Sequence, residues 1–191
     1  MTGMTVFSVE LEAKRFEMLH ELIPETRLIG ILIDPKTQSG AEAQAQAVEA
    51  AARKLGREIS ILHASTETEL DKAFETFAEL RAGGVVITGG PFFLNRREQV
   101  LALAARYSLP AIYENREFTV AGGLMSYGTN VPDVYRQLGV YAGRILKGER
   151  PAELPFLQPT KFDIAINLKT AKAIGLDVPT SILLRANEVI E

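Results

Sequence analysis

The sequence predicts an α/β fold in which a parallel sheet is flanked by helices, and two observations predict it. Four apolar runs of strand length occur in the first two thirds of the chain: LIGILI (28–33), ISILH (59–63), GVVIT (84–88) and AIY (111–113). Amphipathic segments of helix length separate these runs. Strands that are apolar on both faces and alternate with helices are typical of a parallel sheet covered on both sides.

Capping patterns that mark helix starts occur between the predicted strands, where the helices are expected. A polar residue followed three positions later by a carboxylate is a capping pattern, and it occurs at Ser39 with Glu42, Thr66 with Glu69, and Asn95 with Glu98. Apolar residues recur at helical spacing between Leu70 and Leu80. That spacing indicates a helix whose apolar face lies on the sheet.

The second half of the chain is less regular. A loop after Tyr113 leads to a short apolar strand near 124–127, and Asn130 then caps a long helix that ends at Gly148. The face of this helix from Val134 to Ile145 is apolar, and Gly139 and Gly143 on it would permit the close approach of a neighbour.

The stretch TKFDIAINLKTAKAIGL (160–176) alternates apolar and polar residues, which predicts a strand over 162–168 with one buried face. Asn167 is then expected to cap a short helix that ends at Gly175, and a last helix is expected over 181–190.

Composition excludes several classes of function. The 21 Lys and Arg against 24 Asp and Glu give a formal net charge of −3 without long runs of one sign, so we expect no nucleic-acid partner. Zero cysteines exclude disulfides and thiolate metal sites. No nucleotide-binding glycine motif or nucleophile elbow occurs, and the two histidines are far apart in sequence. We therefore predict no enzymatic activity, no metal and no cofactor.

Parallel sheets bind ligands beyond the carboxyl ends of their strands, and polar segments follow the predicted strands here. Ser39 and Gly40 precede a helix N-terminus, which favours a carboxylate; a plain helix cap explains them equally well. Glu114 and Arg116 follow the fourth strand and could pair with the ammonium and carboxylate of a ligand. A mutual ion pair on a solvated loop is the alternative.

Aromatic rings lie near the same strand ends. The rings of Phe92, Phe93, Tyr113 and Tyr127 could sandwich an apolar or aromatic ligand. Each ring taken alone is better explained as core, whereas the group near one cleft favours ligand contact.

Long phrases of the sequence resemble one known family. TGMTVFSVELEAKRFEML, FFLNRREQVLALAARYSLPAIYENREFTVAGGLMSYG, VYRQLGVYAGRILKGERPAELPFLQPTKFDIAINLKTAKAIGLDVP and the closing LLRANEVIE resemble the ABC-transporter substrate-binding proteins that include tryptophan and tyrosine binders. The likeness covers essentially the whole chain.

The resemblance implies a type I periplasmic-binding-protein fold, in which two α/β lobes close on a ligand and dock on a membrane permease. Against that pattern the chain is N-terminally truncated. Residues 1–127 would form one complete ligand-binding lobe, and residues 128–191 would be returning elements of the other, largely missing lobe. The cleft loops of the family fall on Ser39, Gly90, Phe92, Tyr113 and Tyr127.

The function implied is binding of a small organic solute, possibly an amino acid, for an ABC importer. A cytoplasmic effector-sensing module of the same architecture is the alternative, although no DNA-binding segment is apparent. The family implies a periplasmic location, whereas the opening residues contain no signal peptide, so a cytoplasmic location is expected if Met1 is the true start.

The truncation leaves two apolar elements without a predicted partner. The strand over 162–168 and the helix from Asn130 would flank the absent lobe in a full-length relative. We therefore expect either a homodimer formed through elements 130–191 or a fold-back of these elements on the intact lobe.

Overall fold

The computed structural model describes residues 2–3, 9–36 and 40–191, and Ser39 of the predicted site lies outside these ranges. The helices are α1 (Glu10–Leu22), α2 (Ala41–Leu55), α3 (Glu67–Glu79), α4 (Pro91–Asn95), α5 (Arg97–Arg106), α6 (Arg116–Val120), α7 (Val131–Leu146), α8 (Leu168–Ala173) and α9 (Thr180–Leu183). The strands are β1 (Leu28–Ile33), β2 (Glu58–His63), β3 (Gly84–Ile87), β4 (Ala111–Tyr113), β5 (Met125–Thr129), β6 (Phe162–Asn167) and β7 (Glu188–Ile190).

The seven strands form one sheet in the order β2-β1-β3-β4-β5-β6-β7. Strands β1 to β5 are parallel to their neighbours, β6 is antiparallel to β5, and β7 is parallel to β6. The predicted fold class, a parallel α/β sheet flanked by helices, is confirmed. The carboxyl ends of β1 to β5 share one edge of the sheet, called here the carboxyl edge, and their starts share the opposite amino edge.

Each face of the sheet has its own hydrophobic core. On one face α1 and α2 pack on the side chains of β1 that include Ile29 and Ile31. On the other face α3 and α5 pack on Leu32 and Val85. Because neighbouring residues of a strand point to opposite faces, a strand needs apolar residues at every position to serve both cores, which explains the continuous apolar runs.

Four of the predicted helix starts can be compared with the structure. Thr66 caps α3, since its hydroxyl oxygen accepts a hydrogen bond of 3.3 Å from the Glu69 N–H, which confirms that prediction. Asn130 and Asn167 cap α7 and α8 in the same way. The Asn95 cap is wrong, because Asn95 is the last residue of α4 and α5 begins at Arg97 after a break.

The predicted strand over 162–168 does not need a partner outside the chain. It forms β6 and pairs with β5 in an antiparallel register that places Ile164 opposite Tyr127. The fold-back that the sequence left as an alternative is therefore what occurs for this strand. Its apolar side chains, Ile164 and Ile166, are buried in the core on the α1 side of the sheet.

The prediction of a last helix over 181–190 is wrong. Helix α9 ends at Leu183, and the chain continues as β7 beside β6. Asn187 lies between α9 and β7 and is bound to β6 by two hydrogen bonds. Its side-chain amide oxygen accepts from the Ile164 N–H at 2.9 Å, and its backbone N–H donates to the Ile164 carbonyl at 2.8 Å. These two bonds direct the tail to the free side of β6.

Helix α7 differs from the other long helices because much of its apolar surface is exposed. Val134 and Tyr141 are buried, whereas Tyr135 is 70% exposed and Leu146 is 88% exposed. A Cβ placed on Gly139 or Gly143 would meet no atom within 4 Å. This helix therefore has a buried side, on which Tyr141 donates to the Pro155 carbonyl, and an open apolar side. The division into residues 1–127 and 128–191 stays a prediction.

No helix in the described ranges is long and apolar enough to cross a membrane.

Candidate ligand-binding site

The carboxyl edge of the sheet brings several predicted site residues together. Gly89 and Gly90 follow β3, Glu114 and Arg116 follow β4, and β5 ends at Thr129. Because β6 is antiparallel, its first residues, including Asp163, also lie at this edge. A cavity of about 330 Å³ is formed here by the segments 114–117 and 128–132 together with Asp163.

A buried charge network lies beneath this edge. The side chain of Arg15, on α1, is fully buried; its Nη1 lies 2.6 Å from Glu12 Oε1, and its Nη2 lies 3.8 Å from Glu114 Oε1. The Arg15 Nε donates to the Tyr127 carbonyl at 2.7 Å, and Glu12 accepts from the Gly89 N–H at 3.2 Å. Arg15 and Glu12 together thus tie α1 to β5 and to the segments that follow β3 and β4.

Two glycines make room for Glu114. A Cβ on Gly89 would lie 2.0 Å from Glu114 Oε2, and a Cβ on Gly128 would lie 2.0 Å from the Glu114 carbonyl oxygen. Both contacts are impossible for any residue with a side chain unless backbone or carboxylate moves. The position of Glu114 therefore depends on glycine at both places.

Burial raises the pKa of the Glu114 carboxyl, and this effect outweighs the opposing attraction of Arg15. The side chain retains about 12% exposure and lines the cavity. A carboxyl group that is costly to ionise in this position favours a cationic partner, because a nearby positive charge stabilises its charged form.

The opposite charge at the cavity comes from Arg116. Its guanidinium is held by Glu188 of β7 through two hydrogen bonds, one of them 2.6 Å long. Hydrogen bonding to Glu188 raises the pKa of Arg116, so the group stays cationic. The alternative considered from the sequence, a mutual ion pair with Glu114, does not occur; Arg116 is instead about half exposed and paired with the last strand.

Asp163 is fixed by Asn130, whose side-chain amide donates to its carboxylate at 2.6 Å. The same Asn130 side chain accepts from the Asp133 N–H at 2.7 Å. One asparagine therefore caps α7 and orients an acidic group of the cavity.

The remaining predicted residues lie at different depths. Gly90 is buried at the start of α4, and Phe92 is half-buried beside Ser65 and Thr66, in a neighbouring depression of the same edge. Tyr127 is half-buried with its ring tilted against Phe162, 6.0 Å between centroids. These residues flank the cavity but do not line it.

Two predicted residues lie away from the cavity. Tyr113 is only 1% exposed and stacks on Phe118 with ring centroids 4.6 Å apart, so its ring belongs to the core. Gly40 is exposed, with a φ of 81°, directly before α2. Whether any of these residues contacts a ligand stays a prediction.

Sequence reasoning missed Glu12, Arg15, Gly89 and Gly128. A signal for the first two was present, since a glutamate and an arginine three residues apart fall on the apolar side of α1 between Leu11 and Phe16. Charged residues in such a position are rarely buried unless paired. The glycines carry no comparable signal, because their role depends on the approach of a residue distant in sequence.

Among the residues that the structure describes, no group of three or more His, Cys, Asp or Glu side chains is arranged to hold a metal ion.

The model of one protein family, the ABC transporter substrate binding proteins, matches residues 1–190. The chain belongs to this family. No curated protein matches the sequence significantly.

Solved structures share the fold over nearly the whole chain. A conserved domain protein from Vibrio cholerae superposes with a TM-score of 0.84 at 21% identity, covering 98% of this chain. An ABC domain in complex with L-Trp from Streptococcus pneumonia superposes with a TM-score of 0.82, also at 21% identity, over 94% of this chain.

A ligand-free, open substrate binding protein with adhesive properties from Clostridium difficile has a TM-score of 0.72 at 21% identity and covers 99% of this chain. In all three comparisons the match spans 62% of the other chain. The chain thus corresponds to somewhat less than two thirds of the length of these structures.

Proposed function

We propose that this chain carries one face of the solute site of an ABC importer's binding protein, and that it binds a small zwitterion such as an amino acid. The observation that carries the proposal is the cavity at the carboxyl edge, which presents the carboxyl of Glu114 and the guanidinium of Arg116 together. An amino acid has the complementary pair of charges. The neighbour in complex with L-Trp supports this class of solute.

The apolar part of the solute would lie against the neighbouring rings. Phe92 and Tyr127 are both half-buried, Phe92 in α4 after β3 and Tyr127 in β5. Gly90 leads from the end of β3 into α4. Ser39 and Gly40 precede the N-terminus of α2, which would attract the solute carboxylate through the helix dipole.

A second lobe is needed to enclose the solute. Binding pockets cover most of the surface of a small ligand, whereas the carboxyl edge covers one side only. We propose that the further length present in full-size relatives supplies the other side, and that the closed protein docks on a permease at the outer face of the membrane, in the periplasm. Binding without catalysis is the whole of the proposed activity.

The effector-sensing alternative uses the same fold, and nothing in the described residues favours it. The family match favours transport, since its model is that of substrate binding proteins.

The solute is tested by differential scanning fluorimetry with tryptophan, tyrosine, leucine, glutamate and lysine, each from micromolar to millimolar concentration. We expect at least one of them to raise the melting temperature in a saturable way, because a ligand that binds only the folded state stabilises it. Glu114→Gln should weaken the effect at least tenfold in ligand concentration, since a charged partner is lost. Glu79→Gln is the matched control, because Glu79 is an exposed residue of α3 far from the carboxyl edge.

A panel without any saturable shift would contradict amino-acid binding by this chain. An equal loss of affinity in Glu114→Gln and Glu79→Gln would place the solute away from the proposed cavity.

We also propose that the open side of α7 pairs with a second copy of the chain when the chain is alone in solution. Val131, Tyr135, Leu138 and Ile145 form an exposed stripe at helical spacing, and Gly139 and Gly143 offer close approach beside it. An apolar patch of this kind is uncommon on a stable monomer.

Light scattering coupled to gel filtration tests the pairing. We expect a mass of twice 20.9 kDa for the wild-type chain and a monomer for Leu138→Glu. Leu184→Glu is the control, because Leu184 is equally apolar and 82% exposed but lies beyond α9. A monomeric wild-type chain over the micromolar range would show that α7 does not pair with a second copy.

A further inference from the structure

A second cavity, of about 410 Å³, lies at the amino edge of the sheet, opposite the proposed solute site. It is formed between α5 and α8 above the starts of β4 and β5. None of its lining residues lines the cavity at the carboxyl edge. Its volume falls within the range of small-molecule sites in proteins.

The walls of this cavity are apolar. Helix α5 contributes Leu101 and Ala104, Leu124 lies directly before β5, and Ala173 and Ile174 come from the end of α8 and the residue after it. An apolar wall of this kind favours a hydrocarbon or aromatic body over water, because burying apolar surface is favourable in proportion to its area.

One polar side chain, that of Tyr113, forms part of the wall. Tyr113 is only 1% exposed, and no residue that the structure describes forms a hydrogen bond with its hydroxyl. Buried tyrosine hydroxyls usually find a hydrogen-bond partner, and a ligand in the cavity would supply one. Burial also raises the pKa of Tyr113, which keeps its hydroxyl protonated and able to donate.

A free cation stands at the rim. Lys169, the second residue of α8, is exposed, lines the cavity and forms no ion pair within the described ranges. The neighbouring Thr170 is already engaged, since its hydroxyl donates to the Gly122 carbonyl at 2.8 Å, which anchors α8 against the turn before β5. The rim is therefore held in place and carries one unpaired positive charge.

We propose that the cavity between α5 and α8 is a second binding site, for a small apolar monocarboxylate. The hydrocarbon body lies on the apolar wall, the Tyr113 hydroxyl donates to a carboxylate oxygen, and the Lys169 ammonium offsets the negative charge. A ligand bound here would tie α5 to α8, two helices separated by about sixty residues of sequence. The site is independent of the solute site at the carboxyl edge.

The test is a titration of the isotope-labelled chain with 4-phenylbutyrate, followed by amide resonances in two-dimensional NMR. We expect saturable shifts at the amides of 101–109, 122–124 and 169–174 that exceed those at 114–117 and 128–132. The neutral probe 4-phenylbutanol should bind more weakly, since it lacks the charge that Lys169 meets.

Three variants locate the site. Ala173→Phe fills the cavity from an exposed helical position and should abolish the shifts, whereas Ala102→Phe, exposed on α5 outside the cavity, should leave them unchanged. Tyr113→Phe keeps the ring and its stacking on Phe118 and should weaken binding about tenfold. Lys169→Gln should weaken it about two- to fivefold, as for an exposed ion pair.

The site would be overturned if millimolar 4-phenylbutyrate caused no shifts, or if the shifts clustered at the carboxyl edge. Shifts that remain in Ala173→Phe would overturn it as well. Equal affinity of wild type and Tyr113→Phe would overturn the role of the hydroxyl. The spectrum of each variant without ligand shows whether the variant is folded. A loss of binding is interpreted only for variants whose amide resonances are as well dispersed as those of the wild type.

Discussion

Removal of the Arg15 charge should destabilise the chain far more than removal of a surface arginine with the same ion-pair distance. In Arg15→Met the methionine replaces most of the aliphatic stem, so little packing is lost. The Glu12 carboxylate, whose side chain is 4% exposed, then keeps the Gly89 N–H as its only hydrogen-bond partner among the described residues. Breaking a buried ion pair by removing one partner costs about 3–5 kcal/mol.

The matched control is Arg27→Met. Arg27 lies 2.6 Å from Glu58, the same distance as Arg15 from Glu12, but the two side chains are 83% and 57% exposed. Exposed pairs contribute about 0–1 kcal/mol. Burial is thus the main difference between the two variants.

Urea unfolding followed by circular dichroism measures the loss of stability in both variants, Arg15→Met and Arg27→Met. A typical domain has a free energy of unfolding of about 5–15 kcal/mol, so a loss of about 3–5 kcal/mol in Arg15→Met would remove roughly a fifth or more of it. Arg15→Met/Glu12→Gln should recover about half of that loss, because glutamine still accepts from Gly89 without leaving a buried charge. A cost below about 1 kcal/mol for Arg15→Met, or a double variant no more stable than the single one, would refute the reasoning.

Three further outcomes are expected. Thr66→Ala should lower the free energy of unfolding by about 1 kcal/mol through loss of the hydrogen bond from Glu69, and a change below about 0.3 kcal/mol in urea unfolding would speak against the cap. Gly30→Ala should cost about 1–3 kcal/mol, because the new methyl group would lie 2.7 Å from the ring of Phe77; an unchanged melting temperature would show that the ring moves freely. Because folding raises the pKa of Glu114 above 4.5, the wild-type chain loses stability as the pH rises from there through the folded pKa. Glu114→Gln should therefore gain stability over wild type in this window, as measured by melting temperature at each pH, and a constant difference would contradict the raised pKa.

The local pattern of the sequence was sufficient to predict the strands of the lobe and most of the helix starts. The run LIGILI became β1 within its predicted bounds, and Thr66, Asn130 and Asn167 cap the helices that they were expected to cap. These features depend on residues close in sequence, so periodicity and capping chemistry reveal them.

Features that depend on distant residues were not predictable. The pairing of β6 with β5 requires that the chain return after residues 130–161, and alternation alone identifies a strand without identifying its neighbour. The start of β7 is determined by the hydrogen bonds of Asn187 to Ile164, which a helical propensity over 181–190 does not reveal. The Arg15 network joins four segments and has only a weak signal on α1.

The register of β5 and β6 has a consequence for how the chain is assembled. Thr129 lies directly opposite Phe162, and the Asn130 N–H donates to the Lys161 carbonyl at 3.0 Å, so the two strands meet as the arms of a hairpin do. Residues 130–161, with α7 among them, are topologically an insertion at the tip of that hairpin. A two-residue Asn-Gly turn has the geometry to join such arms. Excising the insertion in favour of that turn should leave a self-contained miniature lobe, in which all seven strands and the amino-edge cavity are retained while the exposed apolar helix is gone.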